Sequence, residues 1–228
     1  MILQIETATA SCSVALANGG EVLAVKQLSG RGVHAEMITL FIEEVIALAG
    51  IKYDDLDAIA VTSGPGSYTG LRIGISTAKG LCFALEKPLI AIETLEAMAS
   101  GAVQHDRTFG DKEMLLCPMI DARRMEVYTA VFKADGTKVR PTSADIINKL
   151  SFEDLLRDNN ILFFGDGAEK CQAVLGLSAN AHFLTGFINS AADLTQTALE
   201  KFEKRVFEDV AYFEPYYLKD FIAGKKTL

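Results

Sequence analysis

No Cys-x-x-Cys pair, no His-x-x-x-His or His-x-x-His pair and no surplus of basic charge occur in this 228-residue chain. Each absence closes off a class of function. The four cysteines (Cys12, Cys82, Cys117, Cys171) are scattered through a chain too long to need a disulfide framework. Reduced, buried thiols and a cytoplasmic setting are the expectation. The three histidines, His34, His105 and His182, fall in different predicted elements, so a conventional metal site would have to be assembled from distant pieces of chain. A formal net charge of −8 excludes broad, self-sufficient binding to nucleic acid, which requires a basic surface that displaces counterions. It leaves open a place beside a nucleic acid when a partner supplies the positive charge. No apolar run approaches the roughly 18 residues of a membrane span. The initial "MILQIETATASCSVAL" lacks the basic start of a signal peptide and reads as a first strand.

What is present is a large core: half of the residues are hydrophobic and 23% are charged. Residues 2–5, 12–17 and 21–28 read as strands in meander, with Asn18-Gly19-Gly20 as a hairpin turn. A helix is predicted over 34–49, stopped by Gly50. The strand "LDAIAVT" leads into a glycine loop, a helix over 71–85, the strand "LIAIE" and a further helix from Thr94. The polar stretch 104–113 is the predicted boundary. Beyond it strands return, with Asp135-Gly136 as a hairpin tip, and "ILFFGDGAEK" repeats the strand, glycine loop and helix order. A last helix is predicted from Asn189 or Ser190 to about Glu208. Each half therefore offers hairpin strands followed by a strand–loop–helix unit.

The loop "SGPGSYTGLRIG" sits where phosphate-binding loops sit, yet known fingerprints fail on it. Gly64, Gly66 and Gly70 are spaced GxGxxxG, one residue longer than the dinucleotide motif, and no GxxxxGK[ST] run is present. Three glycines, the hydroxyls of Ser67 and Thr69 and a following helix amino terminus are suited to an anion. Arg72, a cation opposing the helix dipole, points to an anion or carboxylate nearby. A tight turn whose glycines serve packing alone explains the loop equally well.

Other chemistry-bearing residues are sparse. Glu6 ends the first strand, beside either a nucleotide or metal or the turn's own amides. Asp166 lies between Gly165 and Gly167 and reads as a helix cap, or as half of a catalytic pair with Glu6. Arg123-Arg124, between two strands, reads as a solvated turn. No GxSxG elbow is present. The helix over 34–49 is apolar beyond one face. Ile38, Phe41, Ile42, Val45 and Ala49 form a stripe that Met37, Leu40 and Leu48 widen. Leaving those last three in water would cost roughly 1.5–3 kcal/mol each, so a protein–protein interface is expected there.

The runs "ILQIETATASCSVAL", "HAEMITLFIEEVIALAG", "SGPGSYTGLRIG", "GDGAEK" and "FEPYYLKD" resemble the bacterial TsaB (YeaZ) family along nearly the whole chain. The resemblance implies an α/β protein of the two-lobed actin/sugar-kinase/Hsp70-like (ASKHA) fold, with mixed sheets and flanking helices. It implies a partner-binding lobe over 1–103, completed by a C-terminal helix over 189–228, and a smaller lobe over 104–188. It further implies a non-catalytic subunit of the machinery that makes N6-threonylcarbamoyladenosine in tRNAs decoding ANN codons. This subunit would pair with the catalytic paralogue TsaD, which transfers the group to adenosine, and be joined by the small ATPase TsaE. It would meet tRNA only through the complex and pair with a second copy of itself when TsaD is absent. His34, Met37, Ile38, Leu40, Phe41 and Leu48 are the implied interface. The residues Glu6, Gly64, Gly66, Ser67, Thr69, Gly70, Arg72, Gly165, Asp166 and Gly167 are the implied relic of a nucleotide site. No intrinsic cofactor is implied, and ATP or ADP is expected only where subunits meet.

Departures from the pattern are local. Glu6-Thr7-Ala8 stands where relatives often carry Asp-Thr-Ser, and Lys219 replaces a frequent arginine. Where TsaD carries a metal-binding HxxxH pair, this chain has Glu93 and Ala97, leaving nothing there to polarise a carbonyl. The competing classes are a stand-alone nucleotide-dependent enzyme using Glu6 and Asp166, and a metallopeptidase.

Overall fold

A computed structural model describes residues 1–30, 32–105 and 114–219. The predicted boundary at 104–113 falls for the most part outside them, as does the end of the predicted segment 189–228. Strands β1 (Ile2–Glu6), β2 (Ser11–Asn18) and β3 (Glu21–Ser29) meander. They are followed by α1 (Val33–Ala49), β4 (Ala58–Gly64), α2 (Tyr68–Leu85), β5 (Leu89–Glu93) and α3 (Thr94–His105). The sheet order is β3-β2-β1-β4-β5, antiparallel through the meander and parallel from β1 to β5.

The order then repeats. Strands β6 (Met114–Asp121), β7 (Glu126–Phe132) and β8 (Lys138–Ile146) meander, and α4 (Glu153–Leu156), β9 (Asn160–Phe164), α5 (Ala168–Leu175) and β10 (Ala181–Leu184) complete a second sheet. Its order, β10-β9-β6-β7-β8, has the same pairing senses as the first.

Strand alternation decides what each sheet face holds. Leu3 and Ile5 of β1, Val14 and Leu16 of β2 and Ile59 and Val61 of β4 face α1 and α2 and form one core with Phe41, Val45, Leu71 and Ile75. The opposite face carries Ile2, Ala58, Ala60, Ile90 and Ile92. The small alanines at 58 and 60 let Leu194 and Ala198 pack close. Helix α3 is shared: Ala97 joins this layer, while Leu95, Met98, Ala99 and Ala102 pack on the second sheet.

The predicted helix from 189 to 208 is shorter than expected. Ser190 begins it with a capping box to Asp193, but a 3-10 turn (Ala191–Leu194) precedes α6 (Thr195–Glu203). Thereafter 204–219 run as an irregular strap over the first sheet and α2. The Glu208 amide donates to the Leu89 carbonyl at 2.9 Å, and the Tyr216 amide to the Ser63 carbonyl at 2.7 Å. The Lys79 ammonium donates to the carbonyls of Ala211 (3.2 Å) and Phe213 (3.0 Å). These tertiary bonds replace the intrahelical ones a longer α6 would make. Lys219 at the strap's end pairs with Glu126 of β7.

Candidate functional site

The glycine loop joins β4 to α2. Ser67 caps α2, its Oγ accepting the Gly70 amide at 3.3 Å, so the helix begins at Tyr68 rather than at 71. Two backbones meet here. Thr7 Oγ1 donates to the Gly70 carbonyl at 2.8 Å, and the Ser67 amide donates to the Ala8 carbonyl at 2.6 Å. A Cβ at Gly66 would overlap the Ala8 backbone, one at Gly70 the Thr7 carbonyl and one at Gly74 the Thr7 side chain. From the other side, a Cβ at Gly64 (φ 119°) would overlap the Tyr216 carbonyl. The glycines are required, but by the chain itself. The turn between β1 and β2 packs directly against the α2 amino terminus. Of the two readings of the loop, close packing is the one these contacts support directly.

Arg72 is engaged by the strap. Its Nε donates to the Tyr217 hydroxyl at 3.2 Å, and its guanidinium lies 4.4 Å from the Tyr68 ring centre. The Tyr68 and Tyr217 rings are 4.9 Å apart, and Glu214 acts on the guanidinium electrostatically. The cation therefore clamps the C-terminal strap to α2 through a phenol and a ring face.

Glu6 is 1% exposed, on the sheet face opposite α1, and its carboxylate accepts the Ala8 amide. Burial pushes its carboxyl up to about 8 from an ordinary 4.5; the Ala8 amide opposes this and nearby Asp193 adds to it. Asp193, also buried, accepts the Ser190 amide at 3.0 Å. Around them Ser13 Oγ accepts the Ala191 amide at 2.7 Å, and Thr195 donates to Gln4 at 3.0 Å. Glu6 thus belongs to a buried polar seam that seats the 3-10 turn. The sequence reading missed Asp193, whose signal was the Ser190-x-x-Asp193 capping pattern.

Asp166 does not cap α5; Gly167 stands at that position without a side-chain bond. Its Oδ1 instead accepts the Asp121 amide at 2.9 Å, tying the β9 loop to the end of β6. Gly165 (φ 99°) and Gly167 let this loop approach Met119 and Ile120. Desolvation, with Asp121 beside it, raises the Asp166 carboxyl above its ordinary range. Glu6 and Asp166 share no hydrogen-bond partner among the described residues. Of the histidines, His34 Nε2 donates to the Thr9 carbonyl at 2.9 Å and His182 Nε2 meets Asn160 Oδ1 at 3.0 Å. Among the described residues no three His, Cys, Asp or Glu side chains converge.

Helix α1 lies on β2 and β3 and beside α2. This corrects part of the expected interface. Ile38 and Phe41 are buried in the first core, and His34, also buried, bonds to the Thr9 carbonyl, so these three offer little of the outer surface of α1. The stripe is wide because both the sheet and α2 cover it. What faces outward is Leu48 (64% exposed) and Leu40 (43%), with half-buried Met37 and the exposed Thr39, Glu43 and Ala47. Phe83 of α2, 83% exposed, was missed. Its signal was its place off the Leu71, Ile75, Ala78, Cys82 core stripe. No helix among the described residues is long and apolar enough to cross a membrane.

Comparison with known proteins narrows the assignment. A family profile described as TsaD, tRNA N6-adenosine threonylcarbamoyltransferase, matches residues 29–224. The Escherichia coli K12 protein named tRNA threonylcarbamoyladenosine biosynthesis protein TsaB is 33% identical over 231 residues, covering 99% of this chain and 97% of its own. A Pseudomonas aeruginosa structure, described as an uncharacterized protein with similarity to peptidase YEAZ, aligns with a TM-score of 0.83 at 24% identity, over 96% of this chain and 99% of its own. The activator of 2-hydroxyisocaproyl-CoA dehydratase from Clostridium difficile, solved with ADPNP bound, aligns at 0.53 and 9% identity, over 91% of this chain and 98% of its own. The duplicated five-stranded sheets and these likenesses define an α/β protein of the ASKHA fold. Within that class, the relative that matches end to end decides the branch: the chain belongs to the TsaB (YeaZ) family.

Two outcomes test this geometry. Gly70→Ala, which drives a methyl into the Thr7 carbonyl, lowers stability by about 1–3 kcal/mol, whereas Gly80→Ala, in open space within α2, raises it by about 0.5–1 kcal/mol; chemical denaturation measures both. Between about pH 4.5 and 8 the folded chain holds a proton on Glu6 that the unfolded chain has released. That contribution is full below pH 4.5 and lost as pH rises through 8. Glu6→Gln therefore flattens the fall in denaturation midpoint across this window, and an unchanged slope contradicts the assignment.

Proposed function

We propose that this chain is a non-catalytic subunit in the making of N6-threonylcarbamoyladenosine on tRNA, acting by pairing the outer face of α1 with the catalytic paralogue TsaD. The observation that carries the reading is the exposed apolar line of Leu40 and Leu48 on a helix whose other side is fully engaged in its own core. Contact with a partner removes that surface from water.

The polar groups support a role without chemistry of its own. A general acid or base must reach the proton it moves. Glu6 is sealed beneath the β1–β2 turn, and Asp166 is engaged by a backbone amide. The packing of the glycine loop against Thr7 and Ala8 likewise favours placing any ATP or ADP of the assembly where subunits meet rather than in this chain's own loop. TsaE joins the pair, and a second copy of this chain covers the same α1 face when TsaD is absent.

The test is co-purification with TsaD and reconstituted tRNA modification. Leu40→Asp and Leu48→Asp, both at exposed positions, leave the melting temperature nearly unchanged and weaken pairing by roughly 30-fold or more, the size of a hot-spot loss. Modification falls with pairing. Full complex formation by the double variant rejects the interface.

A further inference from the structure

The hairpin joining β6 to β7 carries a feature that the proposed pairing does not use. Arg123 and Arg124 stand in succession at φ 72° and 50°, a left-handed region that side chains other than Gly, Asn and Asp avoid. The surroundings hold them there. Asp121 Oδ1 accepts the Arg123 amide at 2.8 Å, the Glu126 amide donates to the Arg123 carbonyl at 3.1 Å, and Lys170 braces both strands through Asp121 and the Glu126 carbonyl.

Strained positions that turn residues would fill more easily are instead given to two long cations. Both arginines are exposed, and neither forms an ion pair among the described residues. The carboxylates around the tip are already engaged: Asp121 by Lys170, Glu126 by Lys219 and Asp166 by the Asp121 amide. Positive charge is therefore left free at one point of a chain whose net charge is −8. The tip also adjoins the strap. Lys219 reaches Glu126, next to the hairpin tip. Two adjacent, exposed guanidinium groups are suited to phosphodiester contacts.

We propose that the Arg123–Arg124 hairpin is an RNA phosphate contact by which this subunit itself touches tRNA, rather than meeting it only through its partner. The inference rests on the proposed function for the identity of the RNA, not for the presence of the site. The test is the Arg123→Asn/Arg124→Gly variant, whose residues accept the left-handed backbone, in complex with TsaD and titrated with unmodified tRNA over a salt series. The expected result is unchanged pairing, an equal or higher melting temperature and tRNA affinity lower by tenfold or more. The slope of log affinity against log salt becomes shallower by about 1.4–1.8, for two lost phosphate contacts. Unchanged affinity and slope overturn the proposal, as does loss of TsaD pairing with RNA binding intact, which makes the tip a protein contact. If the wild-type chain fails to pair at all, the proposed function falls instead. The same comparison on the isolated chain at low salt then decides the hairpin: residual RNA binding lost in the variant supports it, and none or no change overturns it.

Discussion

The seating of the β1–β2 turn on the start of α2 is the contact on which the rest of this structure depends. Thr7 and Ala8 lie so close to Gly66, Gly70 and Gly74 that no side chain fits between, and the bonds Thr7 to Gly70 and Ser67 to Ala8 lock the approach. One consequence is mechanical: β1, β4 and α2 are held in a single unit, and the C-terminal strap closes over it through Ser63, Lys79 and Arg72. The other is chemical. At the start of α2 the Ser67 amide is taken by the Ala8 carbonyl, which leaves one donor fewer for an anion.

The first sheet separates two environments. One face drives α1 and α2 together over branched aliphatic residues, while the other seats the 3-10 turn and α6 on a seam of Gln4, Glu6, Ser13 and Asp193. Helix α1 is anchored from within, which holds Leu40 and Leu48 outward on a rigid rod. An apolar surface presented this way needs little ordering before contact, and that lowers the cost of association.

Much of this was legible in the sequence because it is local. The meander followed from alternation and Asn18-Gly19-Gly20, and the end of α1 from Gly50, whose φ of 66° caps it. The repeated strand–loop–helix order appears as two sheets of the same pairing pattern. What could not be read was set by distant chain. The purpose of the glycines depends on Thr7 and Ala8, some sixty residues away. Arg72 is occupied by Tyr217 and the end of α6 is decided by bonds from the strap, none visible as periodicity. The apolar count on α1 overstated the outward face, because α2 beside it takes up part of the stripe that includes Ile38 and Phe41. Asp166 looked like a cap because its glycine neighbours suit a turn, yet the amide it serves belongs to Asp121, on another strand.

The reading of the glycine loop as a packing device is tested most directly by calorimetric titration of the isolated chain with ATP and with ADP. A cradle occupied by Thr7 and Ala8 predicts no saturable heat at millimolar nucleotide. Micromolar binding that disappears when Ser67 and Thr69 are replaced by alanine would contradict the account.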